Sequence, residues 1–122
     1  VTNFIVQALK NEDITIYGDG SQTRSFSFVD DTVNGIIALM ESNQNDVFNI
    51  GNPNEITVNE LASTIIDLTN SNSKLINKEL PQDDPKQRRP DITKAKNLLN
   101  WEPVVKLEDG LTQTIDWVSS QL

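Results

Sequence analysis

Three arginines, Arg24, Arg88 and Arg89, are the residues whose type and placement point most directly to chemistry. They fall in two segments that read as irregular: one follows Gly18-Asp19-Gly20 and the other runs from Pro81 to Pro90. A guanidinium offers a planar fork of N–H donors that matches paired phosphate oxygens, and each partly desolvated charged hydrogen bond contributes roughly 1.5–3 kcal/mol. Two such loops converging would clamp a pyrophosphate. Lys86, Arg88, Arg89, Lys94 and Lys96 make up half of the ten basic residues, in a chain whose net charge is −8. A local positive patch is thus kept against the overall charge, which points to a small anion as ligand. The alternative is that Arg24 pairs with Asp30 or Asp31, and Arg88 and Arg89 with Asp83 and Asp84, as surface ion pairs worth about 0–1 kcal/mol each.

The remaining inventory narrows the chemistry. There is no cysteine and no histidine, which removes disulfides, thiolate nucleophiles, most zinc sites and the imidazole base. An acid or base would have to be a carboxylate, a lysine or Tyr17, the single tyrosine. No catalytic set and no metal site is expected. Tyr17 could present its ring or backbone to a nucleobase, although a tyrosine that ends a strand is more often a core residue with a satisfied hydroxyl. Gly18-Asp19-Gly20 fits a tight turn and lacks the G-x-G-x-x-G spacing of a dinucleotide cradle. The net negative charge disfavours nucleic acid and an anionic membrane surface as partners. No run approaches the ~20 apolar residues of a membrane span, so the expected location is cytoplasmic.

Positioning these residues falls to short elements. Phe4, Ile5, Ala8 and Leu9 recur at helical spacing from the outset, with no initiating Met, as in a piece of a longer protein. Ile14-Thr15-Ile16-Tyr17 reads as a strand feeding the glycine loop. A second strand is expected over Ser25–Val29, then a helix capped by Asp30 that carries Val33, Ile36, Ile37 and Met40 on one face. Val47-Phe48-Asn49-Ile50 reads as a brief strand, and Thr57 with Glu60 has the capping-box spacing ahead of Leu61, Ile65 and Leu68. Another strand falls within Lys74–Leu80; the segment from Pro81 to Pro90, with three prolines, reads as an exposed loop. Asp91 caps a short helix, Trp101-Glu102-Pro103 breaks it, and Leu107–Leu122 forms a last amphipathic helix with Leu111, Ile115 and Val118 inward. Trp101 and Trp117 are expected as apolar anchors. The whole reads as one α/β unit of short strands and four or five helices.

The motifs Ile14-Thr15-Ile16-Tyr17-Gly18-Asp19-Gly20-Ser21-Gln22-Thr23-Arg24-Ser25-Phe26 and Phe28-Val29-Asp30-Asp31 resemble the extended short-chain dehydrogenase/reductase family, the NAD-dependent epimerase/dehydratase enzymes of nucleotide sugars. The resemblance continues through Phe48-Asn49-Ile50-Gly51-Asn52, Arg88-Arg89-Pro90-Asp91 and Leu98-Leu99-Asn100-Trp101-Glu102-Pro103, and so covers nearly the whole chain. Within the family it is closest to the UDP-glucuronate decarboxylases, which share the Gln-Thr-Arg-Ser-Phe and Asp-Asp-Pro…Arg-x-Pro-Asp loops. A dTDP-glucose 4,6-dehydratase or an epimerase is the runner-up. Ser25-Phe26 in place of Arg-Asp-Trp, the lack of histidine, and Pro90 after the arginines favour the decarboxylases.

The resemblance implies a Rossmann-type enzyme of which residues 1–122 form the small C-terminal substrate-binding domain. Thr15, Ile16 and Tyr17 would line the nucleoside site, Arg24 would contact the diphosphate, Arg88 would reach the diphosphate or sugar, and Gln22 would add a polar contact. In such enzymes NAD oxidises the sugar of UDP-glucuronate at C4, the β-keto acid loses CO₂, and the returned hydride gives UDP-xylose. The NAD loop and the Tyr-x-x-x-Lys pair belong to the family's N-terminal NAD-binding domain, and this chain has neither: Tyr17 is followed four residues on by Ser21. No cofactor is expected to bind these residues alone, which are expected to be catalytically silent, and the parent is expected to be a homodimer. A binding module that senses a nucleotide sugar without turning it over, and an acidic interaction domain, are the readings from other functional classes.

Overall fold

A computed structural model describes all 122 residues. Five helices and four short strands follow in the order α1 (Thr2–Leu9), β1 (Ile14–Tyr17), β2 (Thr23–Ser25), α2 (Val29–Glu41), β3 (Glu55–Thr57), α3 (Val58–Thr69), β4 (Leu75–Lys78), α4 (Thr93–Leu99) and α5 (Leu107–Gln121). The α/β class follows the sequence pattern. β1 pairs in parallel with β4, Ile14 opposite Leu75 and Tyr17 opposite Lys78, while β2 pairs antiparallel with β3, Arg24 opposite Ile56.

Alternation along β1 sends Ile14 and Ile16 inward, both fully buried, and leaves Tyr17 at the outer end. They meet Ile5 and Ala8 of α1, Leu61, Ala62 and Ile65 of α3, and Leu111, Ile115 and Val118 of α5. α3 starts where Thr57 Oγ1 accepts from the Glu60 amide and the Glu60 carboxylate accepts from the Thr57 amide, the reciprocal box anticipated from the sequence. A second, smaller cluster joins Ile92, Ala95 and Trp101 to Ala38, Phe48 and Ile50. No helix is long and apolar enough to cross a membrane.

Several expectations are corrected. The second strand lies earlier, at Thr23–Ser25, because its partner is β3, an element the sequence did not announce. α2 begins at Val29 with Phe28 as its cap residue, so Asp30 and Asp31 sit in its first turn and neither caps it. There Asp31 is buried and accepts from the Val104 and Val105 amides, at 3.1 and 2.9 Å. Val47–Ile50 forms no strand, having no sheet partner; the Lys94 ammonium on the Val47 carbonyl and the Asn49 amide on the Asp91 carbonyl hold it instead. Asp91 accepts from the Thr93 amide and hydroxyl, but the cap position of α4 is Ile92.

The face of α2 that carries Val29, Val33, Ile36, Ile37 and Met40 looks outward, with exposures of 43% or more, and the face with Asp31 and Gly35 packs inward. Trp101 is buried as expected and its indole N–H donates to the Asp31 carbonyl, whereas Trp117 is 64% exposed and anchors nothing. Trp117 borders an open, largely apolar cavity of about 690 Å³ formed with Phe26, Phe28, Val29, Val105 and Leu107. Only 18 of the 122 residues are buried, so the apolar content of the chain exceeds what its own core takes in.

Candidate functional site

The sequence-predicted residues fall on β1, on β2 and the turn between them, and on the Pro81–Pro90 loop; Tyr17 and that turn form a rim at the end of β1. Tyr17, on the last residue of the strand, is 51% exposed, so the commoner reading of a buried strand-end tyrosine does not hold here. Ile16 is wholly buried and Thr15 is occupied by Gln7, whose amide donates to Thr15 Oγ1 and accepts from the Thr15 amide, both at 3.2 Å. Of these three residues, Tyr17 alone presents its side chain openly to solvent.

The chain then turns through Gly18 and Gly20, both at φ +77°, a region that favours glycine. Gly20 has a further constraint: a Cβ there would lie 2.0 Å from Asn59 Oδ1. The Asn59 amide donates to the Asp19 carbonyl at 2.8 Å and the Asn77 amide to the Gly18 carbonyl at 2.7 Å, so the turn is held from α3 and β4. The Ser21 hydroxyl, then the Ser21 backbone amide, hold the Asp19 carboxyl below the usual carboxylate range, and the Lys86 ammonium acts in the same direction. Gln22 is 8% exposed and its amide donates to the Tyr17 carbonyl at 2.8 Å. Its amide is thus committed to the turn beneath Tyr17. The turn leads into β2 and not into a helix, unlike the strand–turn–helix arrangement of a dinucleotide cradle.

Arg24 joins the rim to the Pro81–Pro90 loop. Its Nη2 donates to both oxygens of Asp84 at 2.9 Å and its Nη1 to the Thr23 carbonyl at 2.6 Å. None of the ion pairs named in the alternative reading forms: Arg24 is paired, but with Asp84 and not with Asp30 or Asp31. Arg88 and Arg89 are exposed and neither makes an ion pair, with Asp83, Asp84 or any other carboxylate. Two further ties fix the loop. The Thr23 amide donates to the Lys86 carbonyl at 2.8 Å, and Glu55 accepts from the Thr23 hydroxyl and from the Gln87 amide, each at 3.1 Å. Arg88 follows Lys86 by two residues, so its backbone leaves within ~7 Å of that β2 contact. The loop closes near Arg89, Pro90 and Asp91, where Pro90 packs on Gly51.

Arg24 is thus bonded within the chain, whereas the Arg88 and Arg89 side chains and the Tyr17 ring are exposed. Asp84 and Glu55 are the polar residues that the sequence did not tie to Arg24 and Thr23, since their partners lie 60 and 32 residues away. The 690 Å³ cavity includes none of Tyr17, Gln22, Arg24 and Arg88, and it is too apolar to be the anion site.

The chain is 53% identical over its full length to UDP-glucuronic acid decarboxylase 1 of Danio rerio, of which it spans 29%. It is 52% identical, over 91% of its residues, to UDP-glucuronic acid decarboxylase 3 of Arabidopsis thaliana, of which the match spans 32%. It thus spans between a quarter and a third of the length of the curated relatives it matches. The structure superimposes on UDP-glucose 4-epimerase of Thermotoga maritima, solved with UDP-glucose, with a TM-score of 0.92 at 36% identity, over 97% of this chain and 38% of that one. For UDP-glucuronic acid 4-epimerase of Bacillus cereus, solved with UDP-glucuronic acid and NAD, the TM-score is 0.92 at 32% identity, over 98% of this chain and 39% of that one. The family model described as GDP-mannose 4,6 dehydratase matches residues 1–114. With that match spanning all but the last eight residues, the chain belongs to the GDP-mannose 4,6 dehydratase family.

Proposed function

We propose that this chain is the nucleotide-sugar-binding part of an NAD-dependent UDP-glucuronate decarboxylase, which forms UDP-xylose. The observation that supports the proposal is the meeting of β2 with the Pro81–Pro90 loop, where Arg24 bonds Asp84 and the Thr23 amide bonds the Lys86 carbonyl, two residues before the exposed Arg88. The identity of about half to UDP-glucuronic acid decarboxylases supports the choice of reaction. On this reading Arg88 and Arg24 take the diphosphate, Tyr17 borders the nucleoside, and the sugar is held in register by binding energy remote from the reacting carbon.

The residues present do not fit NAD, because the one glycine-rich turn lacks both the third glycine and the following helix. Its hydride chemistry would be supplied by residues outside this chain, and the part played here is to bind and orient. The outward apolar face of α2 and the neighbouring cavity support a domain that packs against the remainder of such an enzyme. Epimerisation is the second reading, favoured by the epimerase structures on which the chain superimposes.

The test is a calorimetric and thermal-shift titration with UDP, dTDP and UDP-glucuronate, on this chain and on the full-length protein, with product analysis on the latter. UDP-selective binding, weakened roughly ten- to a hundredfold in Arg88→Ala, and CO₂ release from UDP-glucuronate are the expected results. Conversion to the 4-epimer without CO₂ release would establish the second reading, and no binding by either form would refute both.

A further inference from the structure

We propose that Asp84 is a positioning residue of the anion site, one that orients the Arg24 guanidinium before the ligand arrives. The inference rests on the reading of this rim as a diphosphate site. A guanidinium has five N–H donors. Asp84 engages Nη2 through both carboxylate oxygens, and the Thr23 carbonyl takes one hydrogen of Nη1. The Nε hydrogen and the second Nη1 hydrogen have no partner within the chain, and the plane of the group is set by its contacts with Asp84 and Thr23.

The charges divide accordingly. Asp84 offsets the charge of Arg24 and Asp91 lies within the field of Arg89, so the least compensated attraction for an anion resides on Arg88, which makes no ion pair. Arg24 supplies direction, and Arg88 supplies field. The pair is largely shielded, with side-chain exposures of 20% for Arg24 and 31% for Asp84, so water competes less for it than for a surface pair. Because the Thr23–Lys86 and Glu55–Gln87 bonds tie the same loop independently, loss of Asp84 frees the Arg24 head without detaching the loop. The ordering cost of that side chain then falls on the binding step. The opposite possibility has a distinct signature: a carboxylate competing with the anion for Arg24 would make binding tighter when removed.

The experiment is UDP titration by calorimetry into the full-length protein, for wild type, Asp84→Ala, Asp84→Asn, Arg24→Ala and the Arg24→Ala/Asp84→Ala double variant, each first shown folded by circular dichroism. Asp84→Ala should weaken binding roughly tenfold, about the worth of one ordered charged hydrogen bond. Asp84→Asn should recover part of that loss, because its amide oxygen still accepts from Nη2. In the Arg24→Ala background the Asp84→Ala step should cost nothing more, the mark of a residue that acts through Arg24. In turnover, KM for the nucleotide sugar should rise with kcat little changed. Equal or tighter binding in Asp84→Ala, or an undiminished loss in the Arg24→Ala background, would overturn the proposal. Failure of the wild type to bind UDP would instead remove the diphosphate reading on which it rests.

Discussion

Asp31 links α2 to the segment that walls the apolar cavity, and its removal gives a sharp test of how the two clusters are joined. The side chain is 2% exposed and accepts from the Val104 and Val105 amides. A hydrogen bond to a charged group contributes about 1.5–3 kcal/mol. Val104 is exposed, so water can reach its amide after truncation, and the low end of that range applies to both bonds. Two bonds at about 1.5 kcal/mol give ~3 kcal/mol for Asp31→Ala. The lost interaction of a carboxylate with the first turn of α2 adds about 0.3–1 kcal/mol, and the better helix propensity of alanine offsets it by a similar amount. Asp31→Asn keeps one accepting oxygen but turns an amide donor toward the second N–H, so about half the loss, ~1.5 kcal/mol, should remain. In urea, with a slope of roughly 1.5 kcal/mol/M for a domain of this size, the alanine variant should unfold about 2 M earlier with the slope unchanged. Fluorescence of Trp101, buried and bonded to the Asp31 carbonyl, follows the transition. A loss under 0.5 kcal/mol in Asp31→Ala, or an asparagine variant as damaged as the alanine one, would refute this account of the link.

Gly35 faces Ile50 and Trp101, and a Cβ there would come within 2.6 Å of the Ile50 Cγ2, so Gly35→Ala should lose about 1–2 kcal/mol by denaturant melt despite the ~1 kcal/mol helix preference for alanine. A stabilised variant would show that the α2 contact yields easily. Asp46, through the Lys94 ammonium, and Asp91, through the Thr93 hydroxyl, are held below the usual carboxylate range in the fold. Their stabilisation is therefore complete above the unfolded value of about 3.9 and is lost as pH falls through the lower folded values, so melts should be flat near pH 6 and drop below about pH 4. That drop should shrink in an Asp46→Asn/Asp91→Asn variant, and an unaltered drop would count against the assignment. Ile36→Lys with Met40→Lys should leave the stability of this chain within about 0.5 kcal/mol of wild type, since both side chains are open, while preventing assembly of a soluble full-length protein. Normal expression and activity of that full-length variant would remove α2 as a docking face.

Much of this architecture was legible where the partners are close in sequence. Thr57 and Glu60 declare their helix because the capping contacts span three residues, and Leu111, Ile115 and Val118 declare α5 because the same periodicity that writes the stripe also buries it. The same rule misled in α2. Periodicity finds an apolar face but not what covers it, and here the covered face is Asp31, Gly35 and Ala38. Val47–Ile50 has strand composition without a sheet to join, so backbone and side-chain contacts from α4 and Asp91 decide its path. At the candidate site the arginine loops could be read from charge and proline placement, whereas the bond from Arg24 to Asp84 joins residues 60 apart and has no local signature.

The parallel pairing of β1 with β4 also sets the timing of folding. Ile14 and Leu75 are separated by about sixty residues, a closure whose entropy grows slowly with length but whose search slows the folding rate. Until residues 75–78 are available, β1 lacks its only neighbouring strand and the Gly18 amide lacks the Lys78 carbonyl that anchors the turn. A nascent chain that has reached only β3 therefore holds Tyr17 and Arg24 in sequence but not yet in a rim, and a nick anywhere between β1 and β4 turns one folding reaction into a reassembly whose rate depends on concentration.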